Sequence, residues 1–318
     1  MRVLVVVSGN HSNVAPFVTE QAEALRQAGC EVELFRVTGH GFLGYLHNLK
    51  SLKLAILRFN PDVIHAHYGL CGLLCTLQHR VPVVVTYHGS DINDRRILPI
   101  SRLAIHRAAH NIFVAKKLQK KCLDVLVPRG LETFSSVIPC GVDLNIFHPI
   151  QRDIAYQTLG LDPETHYILF AGAFDNEVKN PQLAKETFEL LKSQLEKEEN
   201  IHLLELKGYN RSEVALLMNA VDCLFMTSHS EGSPQVIKEA LVCGCPIVSV
   251  AVGDVAEQLE RVEGCYVATN NNPKVLAELL KKAMAWDRAN TGKPKTIECL
   301  DNRHVAEKLL RVYSGVIR

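Results

Sequence analysis

Short apolar runs rich in Val and Ile recur along this chain, and longer stretches of helical period separate them. Fully buried strands of a parallel sheet read as continuous apolar runs, because helices cover both faces of such a sheet. The order therefore predicts an α/β fold. "RVLVVV", "EVELFRV", "DVIHAHY", "VPVVVTYH", "NIFVA" and "SSVIP" read as strands of a first domain, and the pattern restarts with "HYILFAG", "NIHLLEL", "VDCLFMT", "PIVSV" and "GCYVA". With 318 residues, two doubly wound domains are expected, 1–149 and 150–301, with Pro149 and the polar "QRD" between them. Between strands lie helices such as "PFVTEQAEALRQAG", started at Pro16 and stopped at Gly29. The tail, 302–318, forms a last helix with apolar residues at 305, 306, 309, 310, 313, 316 and 317, able to pack on either domain.

Open parallel sheets bind ligands beyond the carboxyl ends of their strands. Polar segments gather there: "SGNHSN", "HYGLCG", "HGSDIN" and "PCGVD" in the first half, "GAFDNEVKN", "SHSEGSP" and "VGDVAE" in the second. Two such rims facing each other would make an interdomain cleft. In "HSEGSPQVIKEALVCGCP", Ser233 can cap a helix, Pro234 suits its first position and Gly244 its stop, so a helix is expected over 234–243. Its free amides at 233–236 and its dipole suit an anion such as a phosphate. Glu239 lies about 7 Å further along at 1.5 Å per residue, which matches the span from pyrophosphate to ribose in a nucleotide. Glu231 would point toward whatever is attached beyond the phosphates. In the alternative reading Glu231 only complements the helix dipole and Glu239 is solvated surface.

The stretch resembles the E-x7-E signature of retaining glycosyltransferases of the GT-B fold, in the large family-four group, with Glu231 and Glu239 at the required spacing. "PDVIHAHYG", "PVVVTYHGSDI", "VIPCGVDLNIFHP", "ILFAGAFDNEVKN" and "MNAVDCLFMTSHSEGSPQVIKEALVCGCPIVSVAVGDV" extend the resemblance over essentially the whole chain. "EGSPQVIKEA" is closest in form to members that build capsular, lipopolysaccharide or teichuronic-type polymers. The resemblance implies a UDP- or GDP-linked sugar held by the second domain and a glycan or lipid-linked acceptor held by the first. It further implies that Glu239 binds ribose and Glu231 the donor sugar, that Lys179 neutralises the leaving pyrophosphate, and that His88 contacts the sugar with Asp91 behind it. Gly172 and the Gly232, Ser233, Pro234, Gln235 and Val236 segment would complete the donor site. Gly9, Asn10 and His67 would belong to the acceptor side. Front-face attack with retention implies no metal and no cofactor beyond the nucleotide-sugar substrate.

Departures accompany the match. Ala173 stands where members usually carry an Arg, the first loop offers only Gly9, Cys140 replaces a frequent Asn, Ala115 replaces a frequent Ser, and the segment from Asn180 to Val221 is short. His65 and His67 alternate on one strand, but no third metal ligand follows at a sensible spacing. Lys plus Arg number 35 against 34 Asp plus Glu, which removes the global electrostatic case for a nucleic-acid partner. Charge is local instead: the 94–129 segment holds nine Lys or Arg against Asp94 and Asp124. That surface suits anionic lipid, with "FLGYLHNLKSLKLAIL" as an apolar companion. Ten scattered cysteines and the lack of a signal or spanning segment fit a reduced, cytoplasmic protein, peripheral on the inner face of the membrane. Rival readings are a non-catalytic sugar-nucleotide or glycan-binding protein and a sugar-nucleotide epimerase of the same architecture. A dehydrogenase is disfavoured because "VVVSGNHSNVAP" lacks the G-x-G-x-x-G turn.

Overall fold

A computed structural model describes residues 1–10, 14–125, 134–195, 200–288 and 297–317. The chain divides into two compact units, Met1–Gly141 with Cys299–Arg318, and Val142–Glu298. Unit 1 is built on a parallel sheet of six strands: β1 (Arg2–Ser8), β2 (Glu31–Val37), β3 (Val63–His67), β4 (Val83–Tyr87), β5 (His110–Phe113) and β6 (Ser135–Val137). Their spatial order is β2-β1-β3-β4-β5-β6. Unit 2 holds β7 (His166–Phe170), β8 (Ile201–Glu205), β9 (Cys223–Met226), β10 (Ile247–Val250) and β11 (Cys265–Ala268), in the order β11-β10-β9-β7-β8. All pairings are parallel. Each unit is therefore doubly wound, and all eleven expected strands are present.

The apolar runs are explained by two-sided burial. Leu4 and Val6 of β1 enter one core while Val3, Val5 and Val7 enter another on the opposite face of the sheet. In β7, Tyr167 and Leu169 face one core, Ile168 and Phe170 the other. Side chains that alternate into two dry cores leave few positions for a polar residue. The tail helix Asn302–Val316 settles the choice its sequence left open: Val305, Ala306, Leu309 and Tyr313 join Val3, Val5 and Val18 in one core of unit 1. Its Tyr313 hydroxyl is 2.6 Å from His65 Nδ1. The segment from Asn180 to Val221 carries helix Pro181–Gln194, β8 and helix Arg211–Ala220.

In each sheet the chain reverses its direction of winding next to the first strand. This happens between β1 and β3 in unit 1 and between β7 and β9 in unit 2. Loops leaving the carboxyl ends of those strands part there, and the gap between them is where such sheets receive ligands.

Candidate active site

In unit 2 the expected donor residues straddle this reversal. The loop after β7 carries Gly172 and Lys179, and the loop after β9 carries Glu231 and Gly232. Lys179 Nζ donates to Glu231 Oε1 at 2.7 Å. Backbone ties hold the two loops together: His229 N donates to Val178 O at 2.9 Å, and the Thr227 hydroxyl lies 2.9 Å from the carbonyl oxygens of both Lys179 and Asn180. Asn180, in the left-handed region at φ 54°, starts helix Pro181–Gln194 directly after the lysine. Gly172 is required because a Cβ there would stand 2.6 Å from Lys179 Cγ. A third loop closes in from β10: a Cβ on Gly253 would stand 2.7 Å from the carbonyl oxygen of Gly232.

The helix following Glu231 runs from Gln235 to Val242, and Pro234 is its N-cap rather than its first residue. The expected Ser233 cap is not made. Its hydroxyl is spent on Asp254, which Gln258 Nε2 also reaches at 2.5 Å. Burial raises the Asp254 carboxyl above the usual carboxylate range, against the pull of those bonds and of Lys238. Pro234 has no N–H, so it offers no amide at this helix start. Gln235 and Val236 are half-buried there.

Glu239 departs from the solvated-surface alternative, since the residue is only 3% exposed. A carboxylate that deep must be paired. Its partner is Arg211, the first residue of helix Arg211–Ala220, whose Nη2 donates to Oε1 at 2.5 Å. The guanidinium also lies over the buried Phe147 ring, 4.5 Å from its centroid. Sequence reasoning passed over Arg211, because one arginine in a polar helix start carries no local signal.

In unit 1 the residues expected on the acceptor side gather at the ends of β1, β3 and β4. His67 ends β3 and His88 follows β4, with His67 Nδ1 3.0 Å from His88 Nε2. One of the two facing nitrogens must carry the proton. Burial pushes His67 down to about 3, and His65, stacked on it at 4.6 Å, is also held well below its ordinary value. Both rings are therefore neutral at physiological pH. Asp91 accepts from the backbone amides of His88 at 3.1 Å and Gly89 at 2.9 Å, which fixes the loop. Burial raises its carboxyl to about 6, outweighing those amides. Gly9 hydrogen-bonds to Val37 O, and Asn10 exchanges two bonds with the backbone of Gly39 at 2.6 and 2.8 Å. Asn10 thus ties the end of β1 to the end of β2. Tyr68, unremarked in the sequence, holds φ 71° and lays its ring 4.6 Å from His88. A tyrosine in that backbone region is strained, and such strain concentrates at functional sites.

Among the described residues, no group of three or more His, Cys, Asp or Glu is placed to hold a metal, and no helix is long and apolar enough to cross a membrane. All ten cysteines are free thiols.

Two doubly wound units with an E-x7-E helix at the second reversal define the class of GT-B glycosyltransferases. Residues 34–146 match Glycosyltransferase Family 4 and residues 151–293 match Glycosyl transferases group 1. The chain belongs to this family of group 1, family-four glycosyltransferases. A D-inositol 3-phosphate glycosyltransferase of Pseudarthrobacter chlorophenolicus is 27% identical over 79% of this chain and 77% of its own length. The putative teichuronic acid biosynthesis glycosyltransferase TuaC of Bacillus subtilis is 24% identical over 79% of this chain and 67% of its own. Among solved structures, HepE of Anabaena in complex with UDP superposes with a TM-score of 0.75 at 17% identity, covering 99% of this chain and 100% of HepE.

Proposed function

We propose that this glycosyltransferase moves a hexose from a UDP- or GDP-linked donor to a glycan or lipid-linked acceptor in cell-surface polysaccharide synthesis. The reaction retains anomeric configuration and uses no metal ion. One observation carries the reading: Lys179 and Glu231 are joined at 2.7 Å over the reversal of the unit 2 sheet, beside the start of helix Gln235–Val242. A cation and a helix N-terminus converging on one point suit a pyrophosphate, whose charge grows as it leaves. Lys179 supplies there the charge that a metal supplies in other transferases. Glu231, oriented by Lys179, takes hydroxyls of the donor sugar, and Glu239 takes the ribose. The E-x7-E spacing supports retention, with the leaving phosphate helping to deprotonate the acceptor hydroxyl on the same face. Unit 1 receives the acceptor, and His88, on the loop that Asp91 fixes, is assigned to the transferred sugar. UDP bound to HepE and the naming of TuaC support the donor class and the polymer.

The test is a panel of UDP- and GDP-sugars scored for thermal stabilisation and slow hydrolysis, since a ligand bound only by the folded state raises apparent stability. One base and one sugar should both stabilise the protein and be hydrolysed. Binding without hydrolysis or transfer, with lipid-linked acceptors present, would instead favour a non-catalytic sugar-nucleotide-binding protein.

The same reading places the protein on the inner face of the membrane. Arg95, Arg96, Arg102, Arg107, Lys116, Lys117, Lys120 and Lys121 are exposed, while Arg129 lies outside the described residues. Helices Leu49–Phe59, Leu98–Arg107 and Lys116–Val125 all pack on one core, so their outer surfaces share one side of the unit 1 sheet. That side also exposes Leu54, Leu57 and Leu103. Basic charge around apolar side chains suits an anionic bilayer. Flotation with anionic vesicles that salt abolishes would support this, and flotation indifferent to lipid charge would refute it.

A further inference from the structure

We propose that Arg211 is a positioning residue for the donor nucleotide, holding Glu239 aimed so that its second oxygen receives the ribose diol. The inference rests on the assignment of Glu239 to the ribose and extends it to a residue that the signature does not contain.

Three features carry it. Glu239 is 3% exposed, and a carboxyl group at that depth needs a polar partner to satisfy its oxygens. Arg211 supplies that partner from a different element, donating to Oε1 at 2.5 Å. Arg211 is itself fixed. Its guanidinium lies 4.5 Å from the centroid of the Phe147 ring, and the helix it begins is locked by a capping box in which Asn210 and Glu213 satisfy each other's backbone amides. A planar cation held by a ring below and a helix start behind sets the carboxylate in one orientation. With Oε1 held, Oε2 is the oxygen presented to a diol. The side chain of Arg211 is 27% exposed against 4% for Glu239, so the pair stands at the edge of the site with the cation on the open side.

Arg211 acts through Glu239 and touches no reacting atom, so its loss should appear in nucleotide affinity and not in the chemical step. Four proteins separate the possibilities: wild type, Arg211→Met, Glu239→Gln and the double variant, with Arg211→Lys as a fifth. Methionine keeps an apolar stem over Phe147 and removes the charge. Calorimetry with bare UDP and GDP, together with kcat and KM for the hydrolysed donor, gives the readout. For Arg211→Met we expect the nucleotide Kd and the donor KM to rise about tenfold with kcat within about twofold, the pattern of lost uniform binding. Arg211→Lys should recover part of the affinity. The double variant should bind no worse than Glu239→Gln alone, because residues that act as one unit are not additive.

A role in folding alone would lower the melting temperature of Arg211→Met while leaving its nucleotide Kd at the wild-type value, and that result overturns the inference. Additive losses in the double variant overturn it as well. If Glu239→Gln weakens the nucleotide and Arg211→Met does not, the ribose assignment stands and only the inference falls. If Glu239→Gln leaves nucleotide binding unchanged, both fall. Should Arg211→Met fail to fold, Arg211→Lys carries the test, with wild-type affinity as the contradicting result.

Discussion

Lys179 can cross the turn after β7 because Gly172 has no side chain to meet it. Beside that glycine stands Ala173, uncharged, so Lys179 is the cation of its own loop at the proposed pyrophosphate. Lys179→Ala is therefore expected to cut kcat/KM by more than about a hundredfold, and Ala173→Arg to restore part of it in the double variant. Near wild-type turnover in Lys179→Ala would show that another cation holds the phosphates. The unit 1 histidines bear on stability instead. His67 is lowered from 6.5 to about 3, so the unfolded chain takes up a proton there that the folded protein refuses. That contribution is present above pH 6.5 and is lost as pH falls toward about 3. Asp91, raised from 3.8 to about 6, has the opposite sign: its contribution is present below pH 3.8 and is lost as pH rises through about 6. At 1.36 kcal/mol per unit, roughly 4–5 kcal/mol for His67 opposes roughly 3 kcal/mol for Asp91. His65 adds to the histidine side. Denaturant titrations should show stability falling from pH 7.5 to 5, and His67→Gln should flatten that slope. Of the proposed site, Glu231 and Glu239 were legible as a spaced pair, and Gly172 and Lys179 through the family resemblance. Arg211 and Tyr68 were not legible, since an ion pair between residues 28 positions apart and a strained φ leave no mark on spacing.

At the level of elements, strands were the clearest part of the sequence. Two-sided burial makes most of their positions apolar, and that run is visible without a structure. Helix boundaries were less so: Ser233 has the composition of an N-cap, yet Asp254 and Gln258 compete for its hydroxyl and the helix starts after Pro234. Where the tail helix docks was open, because an apolar stripe does not name its partner. Arg288 shows a third kind of silence. Its guanidinium donates to the carbonyl oxygens of Met218 at 2.7 Å, Asn219 at 2.7 Å and Val221 at 3.1 Å, and further to those of Cys243 and Gly244. These oxygens lie at the carboxyl ends of helices Arg211–Ala220 and Gln235–Val242, where a cation complements the dipole and satisfies acceptors that each helix leaves over. Arg288→Met is expected to destabilise the protein by about 2–4 kcal/mol while leaving nucleotide affinity in place. Denaturation and calorimetry on the same preparation check this, and a fall in affinity without a fall in stability would contradict it.

At the scale of the whole molecule, two sheets of six and five parallel strands repeat one plan. In each, proposed site residues border the strands where the winding reverses: His67, which ends β3, in unit 1, and Lys179 and Glu231, after β7 and β9, in unit 2. Because both units share that topology, it is the E-x7-E stretch of unit 2 that supports the proposal of unit 2 as the donor unit. The central claim is that this helix divides its labour, Glu239 holding the nucleotide and Glu231 the sugar. Glu239→Gln keeps one acceptor oxygen but loses charge-assisted bonds to the diol, a loss of roughly 1.5–3 kcal/mol. Glu231→Gln should act mainly on kcat, where the sugar must be held as its bond to phosphate stretches. The most direct measurement is calorimetry of bare UDP and GDP against both variants. The account predicts that Glu239→Gln binds the preferred nucleotide at least about tenfold more weakly while Glu231→Gln binds it as the wild type does. Equal losses in the two variants would contradict it.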